Sequence, residues 1–186
     1  MTTGKREVIF LNRAYNDLDI QLSLIKAFAT DEQFHVRVIG YPTREYPGTP
    51  EDHEAAAYIR DTYGVAFENI FGHPEAPKTI RLLHKLERTI ARHNKWPFMK
   101  LLNKICRKAA MRILSGNKDW VITSCKKWSP ELVFIDEIVT RGSVSPVIDE
   151  VLPQWVAEGT SVYSFLTGHR VYIDPFPTGK ERTERY

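Results

Sequence analysis

Short, continuously apolar runs alternate along this chain with longer stretches in which apolar residues recur at helical spacing. Val8-Ile9-Phe10-Leu11 and Leu132-Val133-Phe134-Ile135 are the most continuous of the short runs. Runs that are apolar throughout and rich in β-branched and aromatic residues predict strands buried on both faces, as in the middle of a parallel sheet. Pro130 stands just ahead of the second run, where it stops a preceding helix and suits the first position of a strand. Residues 34–39 show partial alternation before Gly40 and Pro42, and residues 65–71 and 160–166 complete the predicted strands.

The helical stretches fall between them. Leu18, Leu22, Ile25, Phe28 and Ala29 predict an amphipathic helix to about Thr30, with Asn16 or Asp17 as its N-cap. Pro50 and the acids Glu51, Asp52 and Glu54 open a helix that Gly64 closes. Ile80, Leu83, Leu86 and Ile90 stripe a third helix, and Leu101, Leu102, Ile105, Ala109 and Ile113 a fourth, with Pro97 separating the two. Residues 147–158 form the last helix, which Pro153 kinks or divides.

Strands that alternate with helices imply right-handed crossovers and a parallel sheet. The expected fold class is therefore α/β: a Rossmann-like open parallel sheet of about five strands with flanking helices and an inserted basic helical pair. Residues 1–174 are expected to form a single domain, with the pair at 78–115 and an extended or mobile tail at 175–186. In the common strand order 3-2-1-4-5, the first and fourth strands meet at the topological switch point, where ligands bind beyond the strand ends.

That order sets Asn12, Arg13, Asn16 and Asp17 across a crevice from Asp136, Glu137 and Arg141, with Thr167 and His169 on its rim. Carboxylates at a strand end accept hydrogen bonds from sugar hydroxyls and act as general bases when partial burial tunes their pKa. Asp136 and Glu137 are the candidate catalytic residues. Adjacent strand residues point to opposite faces, so only one of the two faces the crevice, and Asp136 is the choice. The plain alternative is a strand end solvated by water. Asp17 also reads as a helix cap, and His169 as an exposed loop histidine.

A hydrophobic fraction of 42% and a charged fraction of 26% are ordinary for a soluble globular chain. No apolar run approaches the roughly 18 residues of a membrane span. The polar start of the chain shows no signal peptide, and two cysteines make no disulfide framework, so a cytoplasmic location is expected. Gly-x-Gly-x-x-Gly and Walker-type loops are absent, as are a Gly-x-Ser-x-Gly elbow and metal-spaced histidines. No metal and no tightly bound cofactor are expected.

Charge changes the picture more than composition does. The net charge of +3 conceals a tract at 78–112 with eleven basic residues against one acid, Glu87. Its members Arg81, Lys85, Arg88, Arg92, Lys100, Lys104, Arg107 and Lys108 are candidates for contact with an anionic surface. A merely solvated face is one reading. A membrane surface is a second, with Trp96, Phe98 and Met99 dipping into the interface. Nucleic acid is a third, ranked lower because no recognised nucleic-acid module surrounds the tract.

The first strand with its polar loop and helix, the run from Pro130 to Glu137, and the last strand leading to His169 together resemble the N-terminal half of a GT-B glycosyltransferase. The likeness is greatest to bacterial surface-polysaccharide and CDP-glycerol glycerophosphotransferase-type proteins. Such relatives often carry a Pro-His-Gly turn after the last strand, where this chain has Thr167-Gly168-His169. The resemblance implies an acceptor-binding half that takes a sugar or a lipid-linked acceptor. A nucleotide-activated sugar donor is then expected only with a donor-binding domain in the same or a partner chain. It also implies a peripheral location at the inner face of a membrane. Two alternatives stay open: a non-catalytic α/β module for an anionic partner, and a small complete enzyme acting on a sugar or nucleoside.

Overall fold

The most continuously apolar runs occupy the middle of the sheet. The computed structural model describes residues 5–12, 15–41, 54–92, 97–116, 119–135 and 147–164. Five parallel strands, β1 (Arg6–Asn12), β2 (Phe34–Gly40), β3 (Ala66–Asn69), β4 (Leu132–Ile135) and β5 (Ser161–Ser164), stand in the order β3-β2-β1-β4-β5. The helices are α1 (Tyr15–Thr30), α2 (Glu54–Tyr63), α3 (Lys78–Arg92), α4 (Pro97–Gly116), α5 (Asp119–Lys126) and α6 (Leu152–Ala157). A 3₁₀ turn at Ile70–Gly72 follows β3, and a π-helical turn at Val147–Val151 runs directly into α6. The chain thus has the open, helix-flanked parallel sheet of a Rossmann-like α/β fold.

Alternation along the central strands divides the core into two layers. Val8, Phe10 and Phe134 face α1 and α2, where they pack with Leu18, Ile25 and Ile59. Ile9, Leu11, Val133 and Ile135 face the other side, against residues of α3, α4, α5 and α6 such as Ile80, Leu114, Val121 and Trp155. Phe10 stacks on Phe134 at 4.9 Å between centroids, and Phe28 meets Phe10 edge-on at 6.2 Å. Burial of one such side chain contributes about 1.5–3 kcal/mol.

Backbone and side-chain hydrogen bonds hold the register below β4. The Glu131 N–H donates to the Glu7 carbonyl and the Ser161 N–H to the Glu131 carbonyl, each at 2.9 Å. The buried Thr160 hydroxyl donates to the Pro130 carbonyl at 2.7 Å. Gly64 closes α2 at φ +64, its N–H donating to the Arg60 carbonyl, a backbone state that costs a side-chain-bearing residue energy.

Several local expectations change. Helix α1 already includes Asn16 and Asp17 in its first turn, so neither belongs to the loop before it. Carboxylates and amides are favourable there, because the first turn presents unsatisfied N–H groups. Pro97 stands between the two basic helices as expected: α3 ends at Arg92 and Pro97 opens α4, a position where its missing N–H costs nothing. Pro153 does divide the last helical segment, since α6 starts one residue before it.

The larger difference concerns which faces are buried. Helix α3 buries Ile80, His84, Glu87 and Ile90, while Leu82 and Leu86 are 67% and 44% exposed. Helix α4 buries Asn103, Cys106, Ala110 and Leu114, while Leu101 and Ile105 are 56% and 55% exposed. Leu86, Leu101 and Ile105 therefore do not belong to the core stripes that periodicity assigns them. Both helices carry apolar residues on more than one face, and packing against the sheet and against each other selects only one.

Candidate functional site

Helices that leave neighbouring strands for opposite faces open a crevice above the strand ends. Here α1 follows β1 into one layer, and the segment ending in α6 follows β4 into the other. The switch point thus lies between β1 and β4, which run side by side with Leu11 opposite Ile135.

Asn12 ends β1 at this edge and is fully buried; its carbonyl accepts the Tyr41 N–H at 2.8 Å. Gln21 reaches the same edge from α1. It is fully buried, and its Nε2 donates to the Leu11 carbonyl at 3.1 Å. Its Oε1 is buried and accepts no hydrogen bond among the described residues. Burying an amide oxygen without a donor costs about 1–3 kcal/mol, so this atom marks a place where a donor from elsewhere would be favoured. Neutral amides offer both a donor and an acceptor, which suits hydroxyl-bearing ligands. Gln21 was not among the residues singled out in the sequence. The available signal was a polar residue in the Leu18–Ile25 stripe, at a position the helical period assigns to the core.

The other residues expected around the crevice divide into two groups. The backbones of Asn16 and Asp17 lie on the first turn of α1, close in sequence to Asn12, but their side chains lie outside the described residues. Arg13, Asp136, Glu137, Arg141, Thr167 and His169 also lie outside the described residues. Strand β4 ends at Ile135, immediately before Asp136 in the chain.

A second polar constellation spans the opposite layer. Arg37 of β2 lies between Glu7 of β1, at 3.5 Å, and Glu68 of β3, at 2.5 Å, and its guanidinium covers the Trp128 ring at 4.8 Å. His73 Nδ1 accepts the Glu75 N–H at 3.2 Å, so in the neutral ring the proton sits on Nε2, which faces Glu68 at 3.6 Å. Hydrogen bonds from Ser124 and then Lys127 hold the Glu75 carboxyl below its usual range. One cation shared by two carboxylates across three strands, with an aromatic lid, is an arrangement that ties β1, β2 and β3 to the segment just after α5. Beside it, burial pushes the Cys125 thiol up to about 12, with Glu68 adding to the effect. Burial raises Cys106 as well. Neither cysteine is a thiolate nucleophile at neutral pH.

Among the candidates for anionic contact, Arg81, Lys85, Lys100, Lys104 and Lys108 are exposed and Arg88 is half-buried. The side chains of Arg92 and Arg107 lie outside the described residues. Among the described residues, no group of three or more His, Cys, Asp or Glu is placed to hold a metal ion. No described helix is long and apolar enough to cross a membrane.

Fold and switch point define a Rossmann-like α/β domain. No family model, curated protein or solved structure matches the chain.

Proposed function

We propose that this chain is the acceptor-binding half of a glycosyltransferase-like protein acting in cell-surface polysaccharide or glycolipid synthesis. One observation carries the reading. In the order β3-β2-β1-β4-β5, the C-terminal ends of β1 and β4 adjoin at the switch point, with Asn12 and Gln21 buried at the end of β1. Sugars are recognised by amide and carboxylate groups that pair with hydroxyls, and Asn12, Gln21 and Asp136 supply both kinds. Asp136 is the proposed general base toward an acceptor hydroxyl, and Arg141, Thr167 and His169 are proposed to line the crevice. The donor nucleotide would come from a second domain in the same or a partner chain.

Saturation-transfer NMR with free saccharides, glycerol 3-phosphate and nucleotide sugars tests this. Saccharide or glycerol phosphate signals should appear with the chain alone, and Asp136→Asn should weaken them about tenfold while leaving the melting temperature in place, since a strand-end carboxylate contributes little to packing. Turnover of a nucleotide sugar by this chain alone would point instead to a small complete enzyme. Absence of all binding would remove the acceptor-site reading.

A further inference from the structure

Among the described residues, eight large hydrophobic side chains stand exposed, and five of them lie on the α3–α4 pair: Leu82, Leu86, Phe98, Leu101 and Ile105. Such residues scattered singly need no explanation, but five on two helices packed together do. They are interleaved with cations. On α4, Leu101, Ile105, Lys108 and Arg112 follow one another along successive turns of a single outward face, and Lys104 flanks it. On α3, Lys78, Leu82, Lys85 and Leu86 share the outward face in the same way. The sole acid of the tract, Glu87, is turned inward and only 3% exposed. The outer surface of the pair is therefore apolar and positively charged, with no described acid to offset it.

We propose that these outward faces of α3 and α4 dock on the surface of an anionic lipid bilayer. Charge complementarity selects the occupant. A second copy of the chain would set the same excess of positive charge against itself, which opposes self-association. A phosphodiester backbone would satisfy the cations but leave the leucines, the isoleucine and Phe98 in water. An anionic bilayer takes both: its headgroups attract Lys and Arg, and its acyl boundary takes up apolar side chains from a helix lying in the interface plane. The inference does not depend on acceptor binding, because partition onto vesicles is read without any sugar.

Sedimentation of the full chain with phosphatidylcholine vesicles, and with vesicles also containing phosphatidylglycerol, is the test. Binding should occur only to the anionic vesicles and should fall as salt rises, since exposed charges are screened beyond about 8 Å at physiological ionic strength. At about fivefold per cation near an anionic surface, Lys104→Glu, Lys108→Glu and Arg112→Glu together should lower affinity about 100-fold. Leu101→Gln with Ile105→Gln should lower it about tenfold without altering any charge. All five positions are exposed, so circular dichroism should show both variants folded. Equal binding to both vesicle types, binding to neither, or indifference to either variant would overturn the proposal. So would tighter binding to RNA than to vesicles, or a dimer that these substitutions dissolve while vesicles go unbound.

Discussion

The two helical layers of this protein relate to their sequences in opposite ways. In the α1–α2 layer, the apolar stripe and the buried face coincide: Leu18 and Ile25 are fully buried, and Leu22 and Phe28 pack at the margin of the same cluster. In the α3–α4 layer they part, for the pair buries His84, Glu87 and Asn103 and leaves Leu82, Leu101 and Ile105 in water. A helix with one apolar face has one way to meet a sheet. When two faces are apolar, sequence leaves the choice open, and the face that is not chosen becomes a surface with chemistry of its own.

The most severe way to break this contrast is to truncate the two faces of α4 separately. Leu114→Ala, on the inner face and fully buried, should cost about 2–5 kcal/mol in denaturant unfolding. Leu101→Ala, on the outer face, should change stability by about 0.5 kcal/mol or less. Equal costs would mean that Leu101 is buried in solution and that the two layers do not differ.

A smaller effect probes the other layer, where one polar residue sits in an otherwise apolar stripe. Gln21→Leu removes the hydrogen bond to the Leu11 carbonyl but also the unsatisfied Oε1, so thermal unfolding should shift by about 1 kcal/mol or less. Saccharide or glycerol phosphate binding should fall by about tenfold if the amide meets the ligand. A large loss of stability with binding retained would make Gln21 purely a packing residue.

The smallest effect concerns the strand ends opposite the crevice, where Arg6 and Glu131 form a surface ion pair between the starts of β1 and β4. The hydrogen bond from Arg6 holds the Glu131 carboxyl below its usual range. A depressed folded pKa stabilises above the unfolded value and ceases to do so as pH falls through the folded value. Glu131→Gln should therefore lower the melting temperature slightly at neutral pH, and the difference from wild type should close as the solution is acidified below about pH 4.5. A gap that persists in strong acid would show that the effect is not the ionised pair.

Much of this was legible in residue order. Val8 to Leu11 and Leu132 to Ile135 announce central strands, because only a strand covered on both faces can hide so continuous an apolar run. Alternation of such runs with helical stripes is enough for a parallel sheet, whereas its order was only assumed to be the common one, which the structure has. Asn12 was legible too, as the polar residue that ends the first run. Gln21 was not, since a single polar residue in a stripe has no meaning until the strand end beneath it is placed. The buried trio His84, Glu87 and Asn103 escaped for the related reason that polar side chains are assigned outward by default.

Strand identity, the identity of the helices other than α5 and the charge asymmetry of the tract are thus properties of residue order, because each depends on neighbours within a few turns of chain. Which face of α3 and α4 is buried, and that the Arg37 guanidinium joins Glu7 to Glu68 beneath Trp128, were decided only by tertiary structure. Those outcomes depend on contacts between residues far apart in the chain, and a local hydrophobic period carries no information about which of two apolar faces its partner will meet.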